Sequence, residues 1–257
     1  MYKFVVTIGF LSALIITTSA QANNYISVGT AVDFSQGYYG AINTTEITAT
    51  VTQIKYKTQD FSIQLDLPYL FISGMNYLIN FNSTVAASTS NSQNTRREGI
   101  GDVTLGTTYN VFYSNNYRFA VDMTFKLKVP TASHKESLGT GELDESLQLY
   151  TYKGFGDFTL IIGGGYKWLG QPTTTTKYQN IANGTIGLDY QLSTFTSFGS
   201  LFDIRQSAFE DLENQTEITV YGTHKFSSSW NSQLYVYKGL TSSSPTFGVG
   251  ASLNYRF

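Results

Sequence analysis

The chain has 257 residues, of which 13% are charged and 15% aromatic. It therefore carries about half the charge of an average soluble domain. Yet its mean hydropathy of −0.12 is too polar for a bundle of helices that each need roughly 20 consecutive apolar residues. A formal net charge of −2 excludes the basic footprint of a nucleic-acid binder, and Cys 0, Gly 23 and Pro 4 exclude disulfide-stapled, collagen-like and disordered classes.

The first element, residues 1–22, reads as a secretory signal peptide. Lys3 supplies the positive end and Phe4 to Ile16 the apolar run, and Ala20-Gln21-Ala22 is the cleavage signal. The run is shorter than the ~20 residues a membrane span requires, and no stop-transfer cluster of charges follows. The mature chain is expected to begin near Asn23, leaving residues 23–257 as one domain.

Beyond it the sequence alternates with a period of two. Strands are predicted at 25–34, 45–57, 60–71, 101–112, 118–129, 143–153, 157–169, 181–192, 195–206, 216–226, 230–239 and 246–257. In the third, Phe61, Ile63, Leu65, Leu67 and Tyr69 share one parity, opposite Ser62, Gln64 and Asp66. In the fifth, Tyr117, Phe119, Val121, Met123, Phe125, Leu127 and Val129 oppose Arg118, Asp122, Lys126 and Lys128. A complete apolar face backed by charge is a strand half-buried in something apolar. The segments run about 9–12 residues, as tilted strands crossing a bilayer require.

Short connections alternate with long ones, and the longest spans 72–100. An even strand count with short turns at one end is the pattern of a transmembrane, antiparallel, up-and-down β-barrel of about twelve strands, with ten as the fallback. The first and eighth segments are the most weakly patterned. Leu253, Tyr255 and Phe257 share the outer parity of the last segment, an arrangement that suits recognition by the barrel assembly machinery. Tyr69, Phe71, Tyr113, Trp168, Phe226 and Trp230 fall near predicted strand ends, where aromatic girdles form.

The polar parity then faces the interior. It comprises Gln64, Asp66, Asp102, Arg118, Asp122, Lys126, Lys128, Asp144, Gln148, Lys167, Asp203, Arg205, Asn254 and Arg256. Two readings stand side by side: a charge-lined path for small solutes, or opposite charges that pair and fill the barrel. The 130–143 connection, with His134, Lys135, Glu136 and Glu142, is expected as a solvated loop, with inward folding as the alternative. Arg96 and Arg97 suit contact with lipopolysaccharide. Only His134 and His224 could serve a hydrolase, and neither has an evident oriented partner. No metal or cofactor is expected, and an enzyme, an outer-membrane phospholipase included, is disfavoured.

Several motifs together carry a family resemblance. They are Gly99-Ile100-Gly101-Asp102-Val103-Thr104-Leu105-Gly106, Lys126-Leu127-Lys128-Val129-Pro130-Thr131 and Leu138-Gly139-Thr140-Gly141-Glu142-Leu143-Asp144. Gly163 to Gly170, Arg205-Gln206-Ser207-Ala208, Tyr237-Lys238-Gly239-Leu240 and Tyr255-Arg256-Phe257 continue the series. The sequence resembles the outer-membrane barrels labelled for the meta-cleavage pathway of phenol degradation, over most of residues 99–257. Before Gly99 the best fragment is Thr45-Glu46-Ile47-Thr48. The resemblance implies a transporter without catalytic residues. The expectation is a pore in a Gram-negative outer membrane, surrounded by lipid and lipopolysaccharide, passing small solutes, hydrophobic or aromatic ones included. The alternative is a closed structural or adhesive barrel whose loops bind a partner.

Overall fold

A computed structural model describes residues 24–41, 43–74, 78–80, 83–85, 95–133, 138–171 and 177–257. The signal peptide expected at 1–22 lies outside the described residues, as do His134, Lys135 and Glu136.

The strands run in chain order. They are β1 (Tyr25–Gly37), β2 (Thr45–Lys57), β3 (Phe61–Gly74), β4 (Leu78–Asn80), β5 (Ser83–Val85), β6 (Thr95–Ile100), β7 (Val103–Ser114) and β8 (Phe119–Val129). They continue as β9 (Asp144–Phe155), β10 (Phe158–Trp168), β11 (Ile181–Gln191), β12 (Thr196–Arg205), β13 (Gln215–Lys225), β14 (Trp230–Gly239) and β15 (Pro245–Arg256). Each long strand pairs antiparallel with its chain neighbours, and β1 closes on β15, from Ser27↔Arg256 to Gln36↔Phe247. With β6 and β7 as halves of one interrupted strand and β4–β5 a separate hairpin, the described residues form a closed twelve-stranded barrel. Closure leaves no open sheet edge, which is what allows a sheet to sit in lipid. Twelve, not the fallback of ten, is the count, because the weakly patterned first and eighth segments both pair along their full length as β1 and β11.

The fourth predicted strand differs from expectation. It begins at Thr95 rather than 101 and breaks at Gly101 and Asp102. Pro68 on β3 faces the break and has no N–H for the ladder; its carbonyl instead accepts a 2.9 Å bond from the Gly101 N–H. On the other side β8 ends before Pro130. The Thr131 hydroxyl takes over the ladder there, donating to the Gly101 carbonyl at 3.0 Å and accepting from the Val103 N–H at 2.9 Å.

Alternation sorts the side chains by solvent. Leu105, Phe125, Leu149, Ile162, Val220 and Val236 stand exposed on the outer face around the whole circumference. No soluble monomer exposes so continuous an apolar band; in hydrocarbon it is the stabilising surface. Aromatic pairs gather at the strand ends, including Tyr69–Phe71 at 5.1 Å, Trp230–Tyr255 at 4.8 Å and Tyr255–Phe257 at 4.8 Å between ring centroids. Leu149 occupies the middle of β9 on this face. Leu149→Arg is expected to destabilise the barrel by about 2–4 kcal/mol, the cost of a cation at the bilayer midplane. Reversible denaturant unfolding in lipid bilayers checks it.

Candidate functional site

One wall of the interior is a chain of alternating charges. Register sets Lys128 of β8 directly across from Asp144 of β9. The Lys128 Nζ lies 3.2 Å from Asp144 Oδ2 and 2.9 Å from Asp102 Oδ2, and Lys167 Nζ lies 3.0 Å from the same Asp144 oxygen. All four side chains are at most 5% exposed. The sequence order scatters these residues across four strands; the barrel stacks them with alternating sign. Further along the same wall, Asp66 accepts bonds from Gln53 at 3.0 Å and Gln64 at 2.8 Å, within electrostatic range of Lys55 and Lys126. Asn110 donates to Asp122 at 2.7 Å. On the facing strands Arg205 bonds Gln215 at 2.7 Å and lies 3.7 Å from Glu217, while Thr185 donates to Asp203 at 2.7 Å. Gln148 is buried on β9, opposite Thr124 of β8 and Gly165 of β10.

Two residues assigned to the interior sit elsewhere. Arg118 belongs to the turn before β8, with φ +46°, and is exposed while its guanidinium donates to the Gly156 carbonyl. Arg256 is exposed at the short-turn end, its guanidinium 4.0 Å from the centre of the Tyr25 ring. Both are rim residues: Arg118 lies beyond the last ladder pair of β8, and Arg256 is in the last pair of the closing ladder, opposite Ser27. Asn254 stays half-buried, bonded to Asn231 at 3.3 Å. Of the two arginines suited to lipopolysaccharide, Arg96 is exposed and Arg97 is buried.

The connection expected to be solvated folds inward along its described part. Leu138, Gly139 and Thr140 are buried, and Leu138 packs among the inward-facing apolar side chains. The charges hold it there. Lys128 donates to the Thr140 hydroxyl at 3.0 Å, and the Ala132 N–H donates to Asp102 at 3.1 Å. Asp144 also accepts from the Gly170 N–H at 3.1 Å, tying the next connection to the same network.

A second set of inward residues is not legible from polarity. Tyr150, Tyr152, Tyr221, Tyr235 and Tyr237 all face inward with Ile47, Val51, Leu70 and Ile72. Four of these tyrosines oppose a glycine on the neighbouring strand: Tyr150↔Gly163, Tyr221↔Gly199, Tyr235↔Gly250 and Tyr237↔Gly248. A Cβ at any of those glycines would overlap the ring, so the missing side chain lets the ring lie across the wall. The hydroxyls then reach acids one strand further on. Tyr235 and Tyr237 donate to the two oxygens of Asp33 at 2.9 and 3.0 Å, and Tyr221 donates to Asp189 at 3.0 Å. The available signal was parity continued from Gln233, together with the Gly248–Gly250 spacing of two.

At the long-loop end, connections bind one another. Leu169, Tyr178, Ile181 and Ala208 pack together against Phe209, and burial pushes the Tyr178 phenol above its ordinary value. Ser242 donates to Glu213 through its hydroxyl at 2.8 Å and its N–H at 3.1 Å. These bonds hold the Glu213 carboxyl below its usual value, so the contact is fully present above the ordinary carboxylate range and is lost as pH falls through the lowered value.

A closed antiparallel barrel with an apolar exterior and a charged, tyrosine-lined interior defines the class: an outer-membrane β-barrel. The chain belongs to the family described as "Putative MetA-pathway of phenol degradation", whose model matches residues 18–257. Among solved structures it is similar to the COG4313 outer membrane channel from Pseudomonas putida F1, at 13% identity and TM-score 0.70, covering 94% of this chain and 100% of that one. It is also similar to KdgM porin, at 10% identity and TM-score 0.57 over 90% and 99% of the two chains. A third match is the translocator domain of autotransporter NalP from Neisseria meningitidis, at 10% identity and TM-score 0.55 over 98% and 94%. At these identities the likeness is one of fold. No curated protein matches the chain.

Removing the Asp144 charge leaves Lys128 with Asp102 as its remaining acid in the four-charge chain and takes from Lys167 its 3.0 Å ion pair. Asp144→Asn is expected to cost about 3–5 kcal/mol, the usual penalty for breaking a buried pair, and to loosen the 130–143 connection. Unfolding free energy and the rate of proteolysis within that connection measure the two effects.

Proposed function

We propose that the protein is a passive outer-membrane channel for small solutes that combine an apolar or aromatic body with a polar group. The observation that carries this reading is the mixed interior, in which paired charges lie beside inward tyrosine rings and aliphatic side chains. A channel for fully hydrated ions has no use for the rings, and a purely apolar conduit has none for the charges. The relatives support it: two of the three similar structures are an outer membrane channel and a porin. The inward fold of Leu138–Thr140 fits a constriction better than an adhesive surface. Passage needs neither cofactor nor catalytic residue, since a channel lowers a permeability barrier without changing bonds.

Residues 1–22 direct export and are removed near Asn23 in this reading. Leu253, Tyr255 and Phe257, on the outer parity of the closing strand, are placed to be read by the assembly machinery, and lipid and lipopolysaccharide surround the barrel. The remaining inward charges, Asp66, Asp122, Lys126, Asp203 and Arg205 among them, set the selectivity of the path, with Gln64 and Gln148 adding neutral hydrogen-bonding groups.

Planar-bilayer recording tests the proposal. Discrete conductance steps are expected from the purified barrel, and Lys126→Gln should shift the permeability ratio towards cations. A barrel that is silent at all voltages, and impermeable to aromatic solutes in liposomes, overturns it.

A further inference from the structure

One row of the interior wall has a composition that neither barrel closure nor charge pairing explains. Following the register from β11 to β1, the residues in line are Asp189, Gly199, Tyr221, Tyr235, Gly250 and Asp33. The row reads acid, glycine, tyrosine, tyrosine, glycine, acid. Tyr221 and Tyr235 are cross-strand neighbours, yet their rings turn away from each other. Each lies across the adjoining glycine and donates its hydroxyl to the acid beyond. Ser197 adds a second donor to Asp189 at 3.1 Å, and Tyr237 a second to Asp33 at 3.0 Å. The Tyr235 and Tyr237 rings lie 6.2 Å apart and nearly parallel, at 21°.

The chemistry of the row differs from that of the charged wall. Among the described residues neither Asp33 nor Asp189 has a lysine or arginine within ion-pair distance, whereas Asp102 and Asp144 each do. Hydroxyl donors orient the two carboxylates without cancelling their charge. The hydroxyls are committed to the wall and the row is enclosed, with Tyr221, Tyr235, Asp33 and Asp189 each at most 4% exposed, so a ligand reaches the acids and the ring faces only as the side chains shift. The next inward residue before Tyr235 on β14 is Gln233, which is 4% exposed and has no hydrogen-bond partner for either amide atom. Carboxylates beside aromatic faces attract a cation from both sides, through charge and through the ring quadrupole. An unused amide supplies a further polar contact.

We infer that this row is a binding station for small organic cations with an apolar or aromatic body. The ammonium lies at Asp33 or Asp189 and the body lies against the tyrosine rings. The station rests on the channel reading for its purpose but not for its detection, since binding is measured without flux. The folded barrel in detergent is titrated with benzylammonium, benzyl alcohol and benzoate, and the same three solutes are followed into liposomes. Benzylammonium is expected to bind at least tenfold more tightly than benzoate. Asp33→Asn with Asp189→Asn should abolish that preference while leaving benzyl alcohol within twofold. Equal binding of benzylammonium and benzoate by the unaltered protein overturns the station, whatever the variants do. So does a preference that survives in variants shown to be folded by their gel mobility before and after heating. Selective binding without flux leaves the station standing and counts against the channel; flux without charge preference does the reverse.

Discussion

Every peptide group of a lipid-embedded sheet needs a partner, because an unpaired N–H or C=O in hydrocarbon costs several kcal/mol. The closing ladder between β1 and β15 meets that requirement, and the rest of the molecule depends on it. Once the sheet is a cylinder, each strand has one face in lipid and one face enclosed. Side chains have no third place to go. The same constraint shapes the one interruption, at Gly101 and Asp102. There the Pro68 carbonyl and the Thr131 hydroxyl stand in for strand partners.

Enclosure changes what each residue type can do. A lysine on a surface strand would interact weakly through water. Lys128, enclosed between Asp102 and Asp144, becomes a structural tie that also reaches Thr140 and draws its connection inward. A tyrosine on the outer face joins an interfacial girdle, as Tyr69 and Tyr255 do. On the inner face the same side chain needs room, and glycine on the adjacent strand provides it. Gly199, Gly248 and Gly250 are therefore as much a part of the interior surface as the rings that cover them. The interior is mixed as a result: buried ion pairs lie on β8–β10 and across β12–β13, inward tyrosines lie on β9, β13 and β14, and Asp33 on β1 and Asp189 on β11 have no cation partner among the described residues.

Much of this architecture was legible in the residues. Strands such as β8, with Met123, Phe125 and Leu127 against Asp122, Lys126 and Lys128, declare both faces at once. The ends of elements were less legible. Arg118 continues the pattern of β8 in sequence, but it lies in the turn, where φ is positive and the ladder has stopped. Polarity misled in the interior as well. An inward face was equated with a polar one, so Tyr221, Tyr235 and Tyr237 went unassigned although they follow the parity of Gln233 and Thr223.

The sequence alone determined the two-faced strands and their length, since periodicity and length are local properties of the chain, whereas pairing settled their number at twelve rather than ten. The sequence also placed Asp102, Lys128, Asp144 and Lys167 on inner faces. Only the tertiary structure decided which of them meet. Contact across strands depends on register, and register is set by bulges, breaks and closure that no single segment contains. The row from Asp189 to Asp33 draws its residues from six strands spread over most of the chain. A chain that looked too sparsely charged for water keeps Asp33 and Asp189, which have no cation partner among the described residues, beside aromatic rings, a distribution that composition cannot express.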